Sequence, residues 1–320
     1  MRSRSIASAG IALALSAALS ACTVRDDSLR ENQLESLRVL GIANSPADLA
    51  PGESAALSAL VYEPGGQAIS YEWSWCPSQA GSEGGFECLI DEAELQAAWA
   101  TLNTGTVLPA YDLGTAETAS IDLAIEPEQA IAVCEILTSS EPNPEVAFFT
   151  CLSGLGLNIK LRVSTATEEV VAIRSIPVVA PDAERNQNPL IGSEIEVTQQ
   201  GAGVLQAGES LRAEEIYDLV VEVDPNESET FTPAPQEGQD PPEPKGEGLF
   251  LSWYVTTGST HRKGEIRTTF FEGGEIESLT ENTWDMDFDI DTDTARLFLI
   301  LRDERGGISW TDHSFGLEAQ

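Results

Sequence analysis

The chain has 320 residues, 42% of them apolar, enough for about two domains with cores of their own. Acidic residues outnumber basic ones 53 to 17, for a net charge of −36 and a pI near 4.1. A surface of that sign repels polyanions, which excludes nucleic acid and anionic headgroups as partners while favouring solubility.

The first residues are not part of the fold. Arg2 and Arg4 precede an apolar run at 11–19, and Leu19-Ser20-Ala21-Cys22 follows. This is a secretory signal, too short and too abruptly ended by charge to span a membrane. The LSAC run resembles a bacterial lipobox, against the rival of an ordinary signal with a chance cysteine. The resemblance implies removal of residues 1–21 and lipidation of Cys22, palmitate included, as the new N-terminus. Thr23 is not the aspartate that implies retention at the inner membrane. The expected address is therefore the bacterial cell envelope, with the protein held to the outer membrane through Cys22. Residues 22–35 are polar and unpatterned, a short tether.

With Cys22 committed, Cys76, Cys88, Cys134 and Cys151 remain, an even set in the first half of the chain. An oxidising compartment allows them to form two disulfides in more than one pairing, of which Cys76–Cys88 and Cys134–Cys151 are the simplest. The set lacks CxxC pairs and the chain has only 2 histidines, which argues against a structural zinc site.

Residues 36–180 form the first expected unit. Strands at 37–43 and 55–62 are separated by Pro46 and the Pro51-Gly52 turn; Leu57, Ala59 and Val61 share one face. Pro64-Gly65-Gly66 turns the chain into AISYEWSWC at 68–76, where Ile69, Tyr71, Trp73 and Trp75 alternate with polar residues. A period of two with that aromatic load is a strand whose heavy side is core, with Trp73 and Trp75 as anchors. Three strands joined by tight turns predict an antiparallel sandwich. Residues 77–155 are an insertion stapled by cysteines. It contains a short helix capped by Asp91, with Glu94 in its first turn and an apolar stripe of Leu95, Ala98 and Trp99 that covers an open end of the sandwich. Weak strand character surrounds Ile121 and Leu123. Strands at 157–163 and 170–179 close the unit as a hairpin, with Lys160, Arg162 and Arg174 outward among acids. A polar, proline-bracketed linker spans 181–190.

The second unit, 191–320, repeats the plan. Ile195 and Val197 open it, Ala207-Gly208-Glu209 stands where Pro51-Gly52-Glu53 stood, and Tyr217, Leu219, Val221 and Val223 alternate. Residues 224–248 are acidic and proline-rich, an exposed flexible loop. LFLSWYVT at 249–256 echoes the tryptophan strand around Trp253, and another strand is expected at 266–271. Then Asp285, Asp287, Asp289, Asp291 and Asp293 occupy every second position. On a strand these carboxylates share one face, solvated opposite Trp284, Met286, Phe288 and Ile290. A cation would relieve their repulsion, so the ladder is the candidate calcium site. It is not an EF-hand, because the positions for the loop glycine and glutamate hold Ile290 and Arg296. The strand at 295–302 is apolar along much of both faces, residues 303–307 (DERGG) make a turn, and 308–311 return as the last strand.

The stretches LRVLGIANSPADLAPGE, YEWSWC and LNIKLRV with AIRSIPV resemble the Ig-like sandwiches of myxobacterial cell-surface lipoproteins. LSWYVTTG, NTW and LFLILRDERGGISW resemble the later strands of PKD or bacterial Ig-like repeats. The implied fold is all-β, two antiparallel Ig-like sandwich units, the first carrying the insertion. The four cysteines of the first unit and none in the second depart from a single inter-sheet pair. A nucleophile site needs an oriented histidine, and the candidates, His261 and His313, sit in no GxSxG or HExxH context. The expected role is non-enzymatic, without a catalytic residue: structural support, or adhesion to an envelope protein or glycan through loops at the sandwich ends. The alternatives are a calcium-dependent module using the Asp ladder and a secreted hydrolase of unrecognised type.

Overall fold

The computed structural model describes residues 32–101, 107–123, 156–179, 183–206, 209–233, 243–260, 281–286 and 292–318. Short strands with alternating burial dominate it, as period-two patterning requires. In the first unit β1 (Arg38–Ser45), β2 (Ser54–Tyr62) and β5 (Ala119–Asp122) form one sheet in the order β1-β2-β5. The facing sheet runs β4-β3-β6-β7, built from β3 (Ser70–Cys76), β4 (Asp112–Gly114), β6 (Gly156–Ser164) and β7 (Glu169–Pro177). Ile42, Leu57 and Ile121 from one sheet meet Trp73, Ile159 and Leu161 from the other in a single core. The helix α1 (Glu92–Thr101) adds Leu95 and Trp99 to that core. Asp91 accepts from the backbone N–H groups of Ala93 and Glu94 through Oδ1, at 2.8 and 3.3 Å, and so starts the helix.

The second unit repeats the arrangement. One sheet is β15-β16-β11-β8-β9, from β8 (Ile195–Gln199), β9 (Gly203–Val204), β11 (Ile216–Val221), β15 (Ser259–Thr260) and β16 (Glu281–Asp285). The other is β10-β18-β17-β14, from β10 (Leu211–Arg212), β14 (Leu249–Val255), β17 (Thr294–Asp303) and β18 (Ile308–Glu318), with β10 parallel to β18. A short hairpin, β12 (Thr230–Phe231) with β13 (Lys245–Gly246), stands apart. In each unit early strands and one or two later ones form one sheet, while the tryptophan strand pairs with the penultimate strand in the other. That is the Ig-like order. Trp73 lies opposite Leu161 and Trp253 opposite Leu299, at matching places in the two sheets.

The repeat extends to its turns. The N–H of Ala50 donates to Glu53 Oε2 at 2.9 Å while the N–H of Glu53 donates to the Ala50 carbonyl. In the second unit the N–H of Gln206 donates to Glu209 Oε2 at 2.7 Å and the N–H of Glu209 returns to Gln206. In the first of these turns Gly52 takes φ +88°, a conformation that costs glycine little.

The two sandwiches share a third apolar cluster. Leu34, Leu40 and Tyr62 of the first half pack with Phe298, Ile300 and Ile308 of the second, with Leu60, Tyr254 and Trp310 around them. The strand β17 supplies both sides: Leu297, Leu299 and Leu301 face their own core, while Phe298 and Ile300 face the other unit. The ring of Tyr62 meets Phe298 edge-on at 5.8 Å. A Cβ on Gly41 would lie 2.9 Å from Ile308 Cδ1, so glycine permits β1 to lie close against β18.

Several expectations change at this seam. The segment read as tether is already folded by Asn32: the N–H of Val255 donates to its carbonyl, and Leu34 is 2% exposed. The side chain of Leu34 is apolar and finds the seam. Arg174 does not face outward but donates to Asn44 Oδ1 at 3.0 Å and to the Gly306 carbonyl, between the units. The flanks of the 224–248 loop are not free either, since Glu247 is buried and Glu229 is engaged by Arg305. The last strand runs on to Glu318. The strand expected at 266–271 lies outside the described residues.

Phe298 is 1% exposed, and removing a buried phenylalanine side chain costs about 3–5 kcal/mol. Phe298→Ala should lower the urea midpoint accordingly and split a single unfolding transition into two, followed by fluorescence. One transition at the parent midpoint would show that the seam contributes little.

Candidate functional site

The DERGG hairpin turn sits where the two units and their connecting segment meet. Asp303 accepts from the Gly307 N–H at 2.6 Å through Oδ1, and its own N–H donates to the Gly307 carbonyl at 3.1 Å. Gly306 takes φ +101°, and a Cβ on Gly307 would strike the Asp303 carboxylate and lie 2.7 Å from the Gln187 carbonyl. Glycine is therefore needed at both places, once for conformation and once for room.

The connecting segment is stitched to both sides. Arg185 donates to Asp48 Oδ1 at 2.5 Å and to Glu53 at 2.9 and 3.0 Å. The backbone of Asn186 donates to Asp48 Oδ2 at 2.7 Å, and its side-chain amide reaches Asp303 in the second unit at 3.3 and 3.4 Å. Gln187 donates to Glu229. Asn188 donates to the Asn44 carbonyl at 2.8 Å and accepts from the Ile308 N–H at 2.9 Å, one amide bridging the backbones of both units.

Arg305 closes the other side. It donates to Glu247 Oε1 at 2.9 Å and to Glu229 Oε2 at 2.5 Å, with its guanidinium 4.9 Å from the centre of the Phe231 ring. Glu247 is 1% exposed, and burial pushes its carboxyl above the usual range despite Arg305. Burial likewise raises Asp303, against the N–H donors of Gly307 and Asn186. Glu53 lies in the opposite sense, held down by Arg185 and then by the Ala50 N–H. Beside the connecting segment opens a cleft of about 440 Å³, with Pro46 and Ala47 from the first unit, Asn186 and Pro189 from the connection, and Glu227 and Glu229 from the second.

The residues singled out from sequence are dispersed. Trp73, Trp75 and Trp253 are buried, and the indole N–H groups of Trp73 and Trp75 donate to the carbonyls of Ala116 and Ala110. Cys76 and Cys88 form a disulfide; Cys22, Cys134 and Cys151 lie outside the described residues. Asp285 ends β16 and Asp293 stands just before β17, while Asp287, Asp289 and Asp291 lie outside the described residues. Among the described residues no group of three or more His, Cys, Asp or Glu is placed to hold a metal. His313 stacks near Phe315 on β18, its Nε2 lacks a hydrogen-bond partner, and burial lowers its pKa. His261 lies outside the described residues. The junction itself is not announced by any local sequence pattern beyond Phe298 and Ile300, apolar on the second face of a strand already supplying a core.

No protein-family model matches the chain, and no curated protein matches it. Solved structures are similar at low level. A chimeric titin Z1Z2 functionalized with a KLER peptide from decorin aligns at 9% identity over 89% of this chain and 97% of that one, TM-score 0.20. Murine CEACAM1b aligns at 7% over 89% and 100%, TM-score 0.20. Three N-terminal domains of the bacteriophage RB49 Highly Immunogenic Outer Capsid protein align at 11% over 89% and 70%, TM-score 0.22. At such scores these likenesses add nothing to the Ig-like order read directly from the strands.

Because Glu247 and Asp303 bind protons more readily folded than unfolded, their contribution is present at low pH and lost as pH rises through the raised folded pKa values. Lowering the pH from 7 to about 5 should therefore raise stability, and Glu247→Gln should flatten that rise. Urea midpoints across the range decide it: an equally steep variant would place the titration elsewhere.

Proposed function

We propose that this protein is a non-enzymatic lipoprotein of the bacterial outer membrane, of the kind the myxobacterial surface lipoproteins and Ig-like or PKD-like repeats suggest. It holds a rigid pair of Ig-like sandwiches off the membrane and binds an envelope protein through loops at their ends. The observation that carries this reading is the sealed junction. An apolar seam and a hydrogen-bonded connection hold the units in one relative orientation, so loops from both units are presented together. Interfaces between domains of one chain that are large and apolar do not permit free relative motion. A rigid body of this kind suits display and binding, and the acidic surface keeps it soluble above the membrane. The anchor rests on LSAC and Cys22, with the oxidising compartment supported by the Cys76–Cys88 disulfide.

Intact mass of the protein from its own membranes tests the anchor. The expected species begins at Cys22 and carries acyl chains, and Cys22→Ser should move it from the membrane to the soluble fraction. An unacylated mature chain that remains soluble would overturn the lipoprotein reading.

A further inference from the structure

We propose that residues 32–37 form a strap that locks the two units together and yields first when the N-terminal end is pulled. The anchored reading above enters only as the source of the pull, a membrane at Cys22. The strap's first hold is on the second unit. Gln33 pairs in parallel with Val255 of β14. There the N–H of Leu34 donates to the Val255 carbonyl at 2.8 Å, and the N–H of Val255 donates to the Asn32 carbonyl at 2.9 Å. Its last hold is on the first unit. The N–H of Leu37 donates to Glu168 Oε2 at 2.9 Å, and the Leu37 side chain belongs to the core of Trp73 and Leu161. Between these holds Leu34 is buried with Tyr62 of the first unit and Phe298 and Ile300 of the second, while Glu35 and Ser36 are exposed.

The order of these holds sets the path of a load from the N-terminal end to the last strand. In sequence the strap leads straight into β1, which belongs to the first unit. As folded, a pull meets Val255 first and passes into the sheet that holds β14, β17 and β18. The first unit is bypassed for as long as the strap stays on. Once the strap comes off, β1, the first sandwich and the 181–190 connection enter the line of force. Release also takes Leu34 out of the seam and leaves a hole against Tyr62, Phe298 and Ile300. Packing lost there weakens the seam for both units.

The strap is also the weakest hold on that path. The pairs β6–β7 and β17–β18 are matched residue for residue along their lengths, whereas the strap meets β14 in an isolated bridge. Asn32, Gln33, Glu35 and Ser36 are polar, so release exposes little apolar surface beyond Leu34. Segments with so few buried apolar contacts open at free energies well below global unfolding. Tension between an anchored Cys22 and a partner gripped by the sandwich loops therefore ends the joint presentation of both loop sets before either sandwich unfolds.

The test is single-molecule pulling on the full chain, held ahead of Asn32 and at the C-terminal end, paired with hydrogen exchange without load. The trace should open with a short step of about 20 Å, the contour of the released strap, before the larger steps of the sandwiches. Leu34→Ala should speed that step about tenfold or more at a given force and leave the later steps unchanged. Leu34→Met refills the seam and should restore the parent behaviour. Without load, Leu34→Ala should speed exchange about tenfold at the Val255 N–H and at the Ile308 N–H, which Asn188 holds at the junction. The N–H groups of β6 should not change. Faster exchange at Val255 alone would reduce the strap to a fraying end and overturn the proposal. A trace with no step ahead of the sandwiches, or an equal effect from Glu35→Ala, would overturn it as well. The anchor stands apart from these outcomes. An unacylated chain that shows the step sinks the lipoprotein reading alone, and an acylated chain without the step sinks the strap alone.

Discussion

Phe298 and Ile300 point away from the sandwich their strand belongs to, yet both are buried. A strand that is apolar on both faces cannot lie on a wet surface, and it requires a layer on each side. The second layer here is the β1–β2 sheet of the other unit, so that sheet is itself covered twice: by Trp73 and Leu161 on one side and by Phe298 and Ile300 on the other. The four sheets therefore stack as one block. Leu34 follows from the same demand, because it fills the seam from a segment whose polarity otherwise marks it as tether.

The seam is non-directional, as apolar burial is; the polar connection supplies direction. Asn188 bridges a carbonyl of β1 and an N–H of β18, and only one register allows both bonds. The cost of this precision is buried charge. Glu247 and Asp303 lie in low-dielectric surroundings where ionised carboxylates are disfavoured, and Arg305 with the turn N–H groups offsets only part of it. Such a group tolerates loss of one partner poorly, because the remaining charge stays buried. Gly307 is bound into the same arrangement by space: the connecting segment passes so near that a methyl group has nowhere to go.

The strands were legible because their alternation reports one wet and one dry face, as at Tyr71, Trp73 and Trp75 or Tyr217, Leu219 and Val221. The capping aspartate and the repeated PGE and AGE turns were legible for a similar reason, since their geometry is local. The junction was not. Arg174, Asn186, Asn188 and Arg305 are ordinary polar residues in sequence, and each acquires its role from a group more than fifty positions away, such as Asn44, Asp303, Ile308 or Glu247. The RGG turn has the local pattern of an ordinary hairpin loop for the same reason. Its aspartate and glycines explain themselves locally, whereas the segment that crowds Gly307 arrives from 187–189. Acidic, proline-rich composition at 224–248 predicts exposure, but Glu247 is drawn inward by an arginine that no local pattern announces.

Coupling between the cleft and the junction follows from shared residues. Asn186 belongs to the cleft lining and, through Asp303, to the turn; Glu229 belongs to the lining and, through Arg305, to the clasp on Glu247. Parting the units would separate Pro46 and Ala47 from Glu227 and Glu229, so the cleft exists only in the docked arrangement. Whatever holds the walls of the cleft together therefore also holds the units docked, and the seam in turn keeps the walls assembled. The apolar layer that hides Phe298 and the polar groups that face the cleft are in this sense one system. The first sets how long the two units stay together, and the second has a shape to offer only for as long as they do.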